Sequence, residues 1–213
     1  MKQYFLGIEF GSTRIKAVLL DEKHAIVKSG DYTWKSSLEN GVWTYHMEDV
    51  QEGLRTAIRN LGELPGKISA MGVSGMMHGY LAFDKDWNLL APFRTWQNTM
   101  TGEAADKLTE AFGFNIPQRW SAAHLYQAVL NGEPHVKNIA HVTTLAGYVH
   151  YLLTGENALG VGEASGMFPI DSETLTYDAA MLDKFDALMA KYGFDWNIRA
   201  VLPEVRTAGQ SAG

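Results

Sequence analysis

The N-terminal part of the chain constrains the fold most, because three short apolar runs follow one another with very short connections. The runs cover residues 4–9 (YFLGIE), 15–20 (IKAVLL) and 24–28 (HAIVK). Gly11-Ser12-Thr13 lies between the first two runs, and Asp21-Glu22-Lys23 lies between the second and the third. Strands joined by tight turns pair antiparallel with their neighbours. The pattern therefore predicts a three-stranded antiparallel meander.

A helix and a further strand follow the meander. From Glu48 onward, apolar residues recur at i, i+4, i+7, i+8 and i+11, which is typical of an amphipathic helix. These residues are Val50, Leu54, Ala57, Ile58 and Leu61. Residues 68–72 predict a central strand, which residues 79–83 and 89–93 continue. A meander, a crossover helix and another core strand predict an α/β fold, with the ribonuclease-H-like layout of actin/hexokinase-type ATPases rather than a Rossmann order.

The pattern becomes mainly helical after Trp96. Helices are predicted over residues 102–112, 121–130, 146–153 and 179–189. Thr101 and Ser121 are the expected N-caps of the first two, and Gly155 is the expected end of the third. We expect residues of about 100–160 to form a mainly helical insertion in the α/β domain.

Composition excludes several classes of function. The 213 residues carry 18 basic and 24 acidic side chains, and no Lys/Arg cluster of the kind that binds nucleic acid. Cysteine is absent, which excludes disulfides, thiol catalysis and Cys-ligated zinc. No apolar run approaches the length of a transmembrane helix, and we expect no signal peptide before the first strand. We therefore expect a cytoplasmic protein with no nucleic-acid or membrane partner.

The first connection carries candidate phosphate chemistry. Glu9 ends a strand, Gly11-Ser12-Thr13 follows, and Lys16 lies in the next strand. Glycine lets backbone N–H groups approach an anion, the two hydroxyls add donors, and a carboxylate beside them can hold Mg²⁺ directly or through water. The loop is not a Walker A motif, because no Gly-Lys-Ser/Thr enters a helix. The alternative is an ordinary hairpin whose Glu9 is only solvated.

Two later segments carry candidate ligand residues. Met76-Met77-His78 is bracketed by glycines at a strand end, where α/β sheets bind ligands, although a lone histidine is more often structural. Trp96-Gln97-Asn98 combines an indole face with two amides, which suits a sugar. The alternative for Trp96 is a core tryptophan before a helix N-cap. The other histidines have no metal-ligand spacing.

In this order and spacing, the three segments resemble the FGGY carbohydrate kinases, a family that includes xylulokinase, gluconate kinase and glycerol kinase. Residues 9–13 (EFGST) are similar to the family's Asp-x-Gly-Thr/Ser-Thr/Ser hairpin, residues 74–79 (SGMMHG) to the xylulokinase Gly-Gln-Met-His-Gly segment, and residues 96–98 (WQN) to its Trp-Asn-Asp. Residues 152–156 (LLTGE), 163–167 (EASGM) and 202–205 (LPEV) resemble later segments. The resemblance covers essentially the whole chain, but only the family's N-terminal domain.

The resemblance implies ATP-dependent phosphorylation of a sugar or polyol hydroxyl, with Mg²⁺, and it favours a xylulose-like ketopentose. It implies phosphate binding by Gly11, Ser12, Thr13 and Lys16, metal binding by Glu9, and sugar binding by Met77, His78, Trp96, Gln97 and Arg119. Four residues depart from the family pattern: Glu9 replaces Asp, Asn98 replaces an acid, Met100 stands where Arg is common, and Met76 stands in place of the Gln before Met-His.

The resemblance also implies that the chain is part of a longer enzyme. In the family, a general-base Asp follows shortly after the Leu-Pro-x-Val run, and a C-terminal domain supplies most of the adenine site. We expect both to lie beyond Gly213, so no catalytic residue is assigned within the chain. Residues 1–213 alone are then expected to be inactive. A homodimer is a further expectation.

Three other functions compete with a sugar kinase. The changes at Glu9 and Asn98 would suit a non-catalytic sugar-binding or regulatory relative. An actin-like ATPase without a sugar substrate would share the hairpin, but would have no use for residues 76–78 and 96–98. A nuclease on the same core needs several clustered acids for two metal ions, and the core strands offer only Glu9.

Overall fold

The computed structural model describes residues 2–213, which form two compact units. The first unit runs to Met76, and the second unit runs from Met77 to Gly213. Within residues 2–213, no helix combines the length and the apolar character needed to cross a membrane.

The first unit is built on a mixed four-stranded sheet. Its elements are strands β1 (Tyr4–Phe10), β2 (Arg14–Leu20), β3 (Ile26–Thr33), β4 (Ser37–Glu39) and β5 (Val42–Thr44), helix α1 (Met47–Arg59) and strand β6 (Ile68–Gly75). The sheet has the order β3-β2-β1-β6, in which β1, β2 and β3 pair antiparallel and β6 runs parallel to β1. This confirms the meander, although β3 runs to Thr33 rather than to residue 28.

Alternating residues bury one face of this sheet. On β1 the buried side chains include Leu6, Ile8 and Phe10, and on β2 they include Ile15 and Leu19. Helix α1 packs on β2 and β3 with the apolar face that its sequence period predicts. The opposite sheet face carries the more polar residues of β1 and β2, and so leaves Glu9 and Lys16 exposed.

Two strand predictions after α1 are wrong. Strand β6 lies at the end of the sheet order rather than in its centre, and within the described residues it pairs only with β1. Residues 79–83 do not continue β6, because His78 and Gly79 have φ angles of 71° and 114° and turn the chain away from an extended path. Strand β7 (Leu81–Phe83) pairs instead with strand β8 (His141–Thr143).

The second unit is mainly helical. Its helices are α2 (Gly102–Phe112), α3 (Ser121–Leu130), α4 (Leu145–Thr154), α5 (Val161–Ala164), α6 (Ala179–Met189) and α7 (Ile198–Val201), and strands β9 (Ala158–Gly160) and β10 (Glu204–Arg206) pair in parallel. The periodic segments therefore predicted α2, α3, α4 and α6. Aromatic side chains pack together in the core of this unit. The Phe168 ring centroid lies 5.6 Å from that of Phe112 and 6.0 Å from that of Phe185.

The predicted helix ends are partly right. Gly155 ends α4 with a φ of 80°, as expected. Thr101 occupies the N-cap of α2, but its hydroxyl donates to the Gln118 carbonyl instead of accepting from the helix. Ser121 is the first residue of α3 and not its cap, because its buried hydroxyl donates to the Gly79 carbonyl at 2.6 Å. Both hydroxyls therefore tie helices to loops.

Candidate functional site

The hairpin between β1 and β2 places an acid opposite a base. The β1–β2 register pairs Glu9 with Lys16, and Glu9 Oε2 lies 3.7 Å from Lys16 Nζ. The side chains are 57% and 47% exposed, so each remains accessible to a charged ligand. The structure therefore brings the predicted metal residue and the predicted basic residue together at the C-terminal end of β1.

Three successive carbonyls of the hairpin accept hydrogen bonds from two aromatic residues. Trp34 Nε1 donates to the Gly11 carbonyl at 2.7 Å, and the Tyr45 hydroxyl donates to the Ser12 carbonyl at 2.7 Å. The backbone N–H of Trp34 donates to the Thr13 carbonyl at 3.2 Å. The sequence analysis did not identify Trp34 and Tyr45 as site residues. The sequence shows only that they lie in segments with a weak strand-like pattern.

The donors of Ser12 and Thr13 remain free, whereas the N–H of Gly11, which was also predicted to bind phosphate, already donates to the Arg14 carbonyl at 3.0 Å. Ser12 and Thr13 are exposed, and neither their N–H groups nor their hydroxyls donate a hydrogen bond to another group within residues 2–213. Adjacent free N–H and hydroxyl donors suit the oxygens of a phosphate. The donor set therefore fits the predicted phosphate ligand.

The carboxylate of Glu9 is the candidate magnesium ligand beside the hairpin. Glu9 offers an exposed carboxylate beside the free donors, and carboxylate oxygen is a ligand that Mg²⁺ prefers. Within residues 2–213, no three acidic or histidine side chains converge in a group that could hold a metal. Mg²⁺ commonly keeps several waters and binds through one or two carboxylates plus substrate phosphates, so Glu9 fits this mode.

The second unit begins with a tight turn that presents His78. Both His78 and Gly79 adopt left-handed backbone conformations. A Cβ at residue 79 would lie 2.7 Å from the Arg94 carbonyl oxygen, so only glycine fits there. The N–H of Gly79 donates to the Arg119 carbonyl at 3.2 Å, which fixes the turn against the segment before α3.

A backbone carbonyl sets the tautomer of His78. His78 Nδ1 lies 3.3 Å from the Gly166 carbonyl oxygen. A carbonyl oxygen can only accept, so Nδ1 carries the hydrogen and Nε2 of the neutral ring is left as an acceptor. Burial lowers the pKa of His78, and the charge of Arg119 lowers it further against the opposing hydrogen bond to Gly166. His78 is therefore neutral at pH 7 and can accept from a ligand hydroxyl.

The segment of residues 94–98 lies beside the His78 turn through backbone pairing. Tyr80 and Arg94 exchange backbone hydrogen bonds of 2.8 and 3.1 Å. Trp96 is 46% exposed and so can offer an indole surface to a ligand. Asn98 is buried, and its Nδ2 donates to the Thr95 carbonyl at 3.0 Å, so its amide holds the turn.

The predicted site residues are only partly brought together. Glu9, residues 11–13 and Lys16 belong to the first unit, whereas the predicted sugar residues belong to the second. Met77, His78 and Arg119 meet around the turn at residue 79. No hydrogen bond or ring contact within residues 2–213 joins the side chain of Trp96 or Gln97 to His78.

The sequence analysis did not find a largely buried polar cluster that includes Tyr80 and Arg94. The Arg94 guanidinium pairs with Glu133, whose carboxylate also lies 3.5 Å from His135 Nδ1. His135 Nε2 lies 2.9 Å from the Tyr80 hydroxyl, and Arg94 stacks over the Tyr80 ring at 5.4 Å. Burial raises the pKa of Glu133, but Arg94 outweighs this and keeps it below the usual range. The side chains of Tyr80 and Arg94 are thus tied together as well as their backbones.

Comparison with known proteins places the chain in a family. The model of the N-terminal domain of the FGGY family of carbohydrate kinases matches residues 4–213. A glycerol kinase of Thermococcus gammatolerans and a xylulose kinase of Escherichia coli K12 are each 24% identical, over 100% and 96% of this chain and 45% of each relative. A gluconate kinase structure from Lactobacillus acidophilus has a TM-score of 0.84 at 19% identity, over 100% of this chain and 44% of that one.

These relatives each match nearly all of this chain but less than half of their own length. The chain spans about half the length of the curated relatives that it matches. The structural likeness shows a shared α/β fold with a mixed sheet. The family model covers the described residues from the first strand onward. The resemblance drawn from the motifs is therefore confirmed, and the chain belongs to the FGGY family of carbohydrate kinases, as its N-terminal domain.

Proposed function

We propose that the protein acts as an ATP-dependent kinase that phosphorylates a hydroxyl of a small sugar or polyol. The hairpin of residues 11–13 carries this proposal, because the donors of Ser12 and Thr13 are free and exposed beside the Glu9–Lys16 pair. Phosphoryl transfer depends on positioning the phosphoryl group and on neutralising its charge, and such a hairpin can do both. The relatives' names, glycerol kinase and xylulose kinase, agree with it.

The proposed architecture is a ribonuclease-H-like core with a helical insertion. The order β3-β2-β1-β6, with an antiparallel meander and one parallel strand reached through α1, supports this assignment. Helices α2, α3 and α4 lie within residues of about 100–160, the proposed insertion. The proposal treats the whole chain as one N-terminal kinase domain. The cytoplasmic location and the homodimer expected from the sequence stay predictions.

In the proposed reaction, ATP supplies the phosphoryl group and Mg²⁺ neutralises charge on its phosphates. Ser12 and Thr13 would donate to phosphate oxygens, Glu9 would hold the metal ion, and Lys16 would add positive charge. The general base and the adenine site are proposed to lie outside residues 1–213. Water exclusion over the site would then suppress idle ATP hydrolysis.

The sugar is proposed to bind at the start of the second unit. His78 offers an acceptor for a hydroxyl, the exposed face of Trp96 can pack on sugar C–H groups, and Gln97 and Arg119 add donors. Met77 supplies an apolar contact beside His78. The Met77-His78 pair favours a xylulose-like ketopentose, because of its likeness to the xylulokinase segment.

A coupled ADP-release assay on the product of the complete reading frame tests this function. The panel holds ketopentoses, aldopentoses, glycerol, other polyols and gluconate, each with Mg-ATP. We expect sugar-dependent release that falls roughly 100-fold in Glu9→Gln, since an electrostatic contact in the reaction has been removed. Glu110→Gln, at an exposed position on α2, is the matched control and should retain the rate.

The alternatives give different results in the same assay. Sugar binding without ADP release would indicate the non-catalytic relative. ADP release that is indifferent to every sugar would indicate a plain ATPase. Residues 1–213 expressed alone should release no ADP above the Glu9→Gln background, and steady turnover would contradict the proposed placement of the general base.

A further inference from the structure

The anchored carbonyls of the hairpin determine where its N–H groups point. Each peptide group is planar, and no peptide bond within the described residues is cis. In a trans peptide, the carbonyl of one residue and the N–H of the next point in opposite directions. Donors on the Gly11 and Ser12 carbonyls therefore aim the N–H groups of Ser12 and Thr13 to the opposite side, away from Trp34 and Tyr45.

The two anchors are themselves held rigidly. Trp34 is 5% exposed and Tyr45 is 3% exposed. Their rings contact each other at a tilt of 34° with centroids 4.2 Å apart, and the Trp34 ring also meets Phe10 edge-on at 5.9 Å. A donor on a buried ring that is packed against another ring has little freedom to move. The orientation of the hairpin is thus set before any ligand arrives, which reduces the cost of ordering it on binding.

We propose that Trp34 and Tyr45 are positioning residues for the nucleotide phosphates. They hold the carbonyls of residues 11–13 on one side, and so present the N–H groups of Ser12 and Thr13 to phosphate oxygens on the other. This inference rests on the proposed kinase function, and it extends that function to two aromatic residues that would never touch the nucleotide.

Tyr45→Phe on the product of the complete reading frame tests the inference. The substitution removes the donor to the Ser12 carbonyl and keeps the ring that packs against Trp34. We expect the KM for Mg-ATP to rise about fivefold, the effect of one net hydrogen bond, with the KM for the sugar unchanged. Trp34→Phe, which removes the donor to the Gly11 carbonyl, should act in the same direction.

Tyr4→Phe is the matched control. Tyr4 is a buried tyrosine at the start of β1, in the same sheet but at the end away from the hairpin. Its substitution should leave both KM values unchanged. A loss of stability alone would lower the amount of active enzyme, and so would not raise the KM for Mg-ATP selectively.

Amide spectra of the wild-type protein provide a second readout. On addition of Mg-ATP, the ¹H–¹⁵N signals of Ser12 and Thr13 should shift, because these N–H groups are proposed to donate to phosphate oxygens. If either variant fails to fold, the presence or absence of these shifts is the test. An unchanged KM for Mg-ATP in folded Tyr45→Phe, equal rises in both KM values, or unmoved Ser12 and Thr13 amides in an active enzyme would overturn the inference. Absence of sugar-dependent ADP release in the wild type would instead overturn the proposed kinase function.

Discussion

The backbone of Gly166 lies directly against the imidazole of His78. Its carbonyl oxygen is 3.3 Å from His78 Nδ1, and a Cβ added at Gly166 would lie 2.7 Å from the same nitrogen. The same Cβ would lie 2.9 Å from the terminal methyl of Met77. One residue without a side chain therefore allows both proposed sugar contacts to take their places.

Gly166→Ala should weaken sugar binding and leave nucleotide binding intact. The added methyl group must displace His78 or Met77, because the contacts are shorter than Cβ atoms tolerate. We expect the sugar KM to rise about tenfold, a cost of about 1.4 kcal/mol, with an unchanged KM for Mg-ATP. Gly162→Ala in α5 is the control, since nothing lies within 4 Å of its added Cβ. Equal sugar KM values in the two variants would contradict the prediction.

The sugar KM should also depend on pH through His78. Above its pKa the ring is neutral and Nε2 accepts, whereas below its pKa Nε2 carries a proton and can no longer accept. Because burial and Arg119 lower the pKa of His78, the rise in sugar KM on acidification should be centred below 6.5. Steady-state kinetics from pH 5 to 8 would measure this. His78→Gln should flatten that rise, and a midpoint above 6.5 in the wild type would contradict the assignment.

Local patterns in the sequence predicted the elements that neighbouring residues are enough to identify. Strands β1 and β2 are short apolar runs bounded by turn residues, and α2 and α6 repeat apolar residues at helical spacing. Such runs and periods can be recognised without knowing which other elements they pack against. The hairpin of residues 11–13 was found for the same reason, because its glycine and hydroxyls are contiguous in sequence.

Long-range pairings could not be predicted in this way. The place of β6 at the sheet edge depends on which strands pair, and an apolar run does not specify its partners. Arg94 and Glu133 are 39 residues apart, and nothing local marks either as a member of a buried pair. Trp34 and Tyr45 act on the hairpin through side-chain donors that come from other segments. Such contacts emerge only from the folded chain.

The Arg94–Glu133 pair should be strongly coupled in stability. Their side chains are 8% and 22% exposed, so removal of one partner leaves a largely buried charge. We expect Glu133→Ala to lower the free energy of unfolding by about 2–3 kcal/mol, and Arg94→Met with Glu133→Leu to cost less than the sum of the single changes. Urea titrations of the wild type, Arg94→Met, Glu133→Leu and the double variant would give the coupling energy.

An exposed pair on α2 is the control for that cycle. Glu103 and Lys107 are one helical turn apart and form an ion pair of 2.6 Å on the protein surface. Solvent screens such a pair, so Glu103→Ala should change stability far less than Glu133→Ala. Strict additivity of the Arg94 and Glu133 substitutions would show that the buried pair contributes no coupling.

His124→Leu should stabilise the protein and weaken the response of its stability to acid. Neither ring nitrogen of His124 has a hydrogen-bond partner within residues 2–213, and burial lowers its pKa to about 3. Between that value and 6.5 the unfolded chain binds a proton that the folded chain excludes, so stability falls as the pH is lowered, by up to about 1.4 kcal/mol per pH unit. Urea midpoints at pH 7 and pH 5 should therefore differ less in His124→Leu than in the wild type. His24→Asn, at an exposed turn, is the control and should keep the wild-type difference. An unchanged difference in His124→Leu would mean that His124 is protonated, and therefore partnered, in the folded protein.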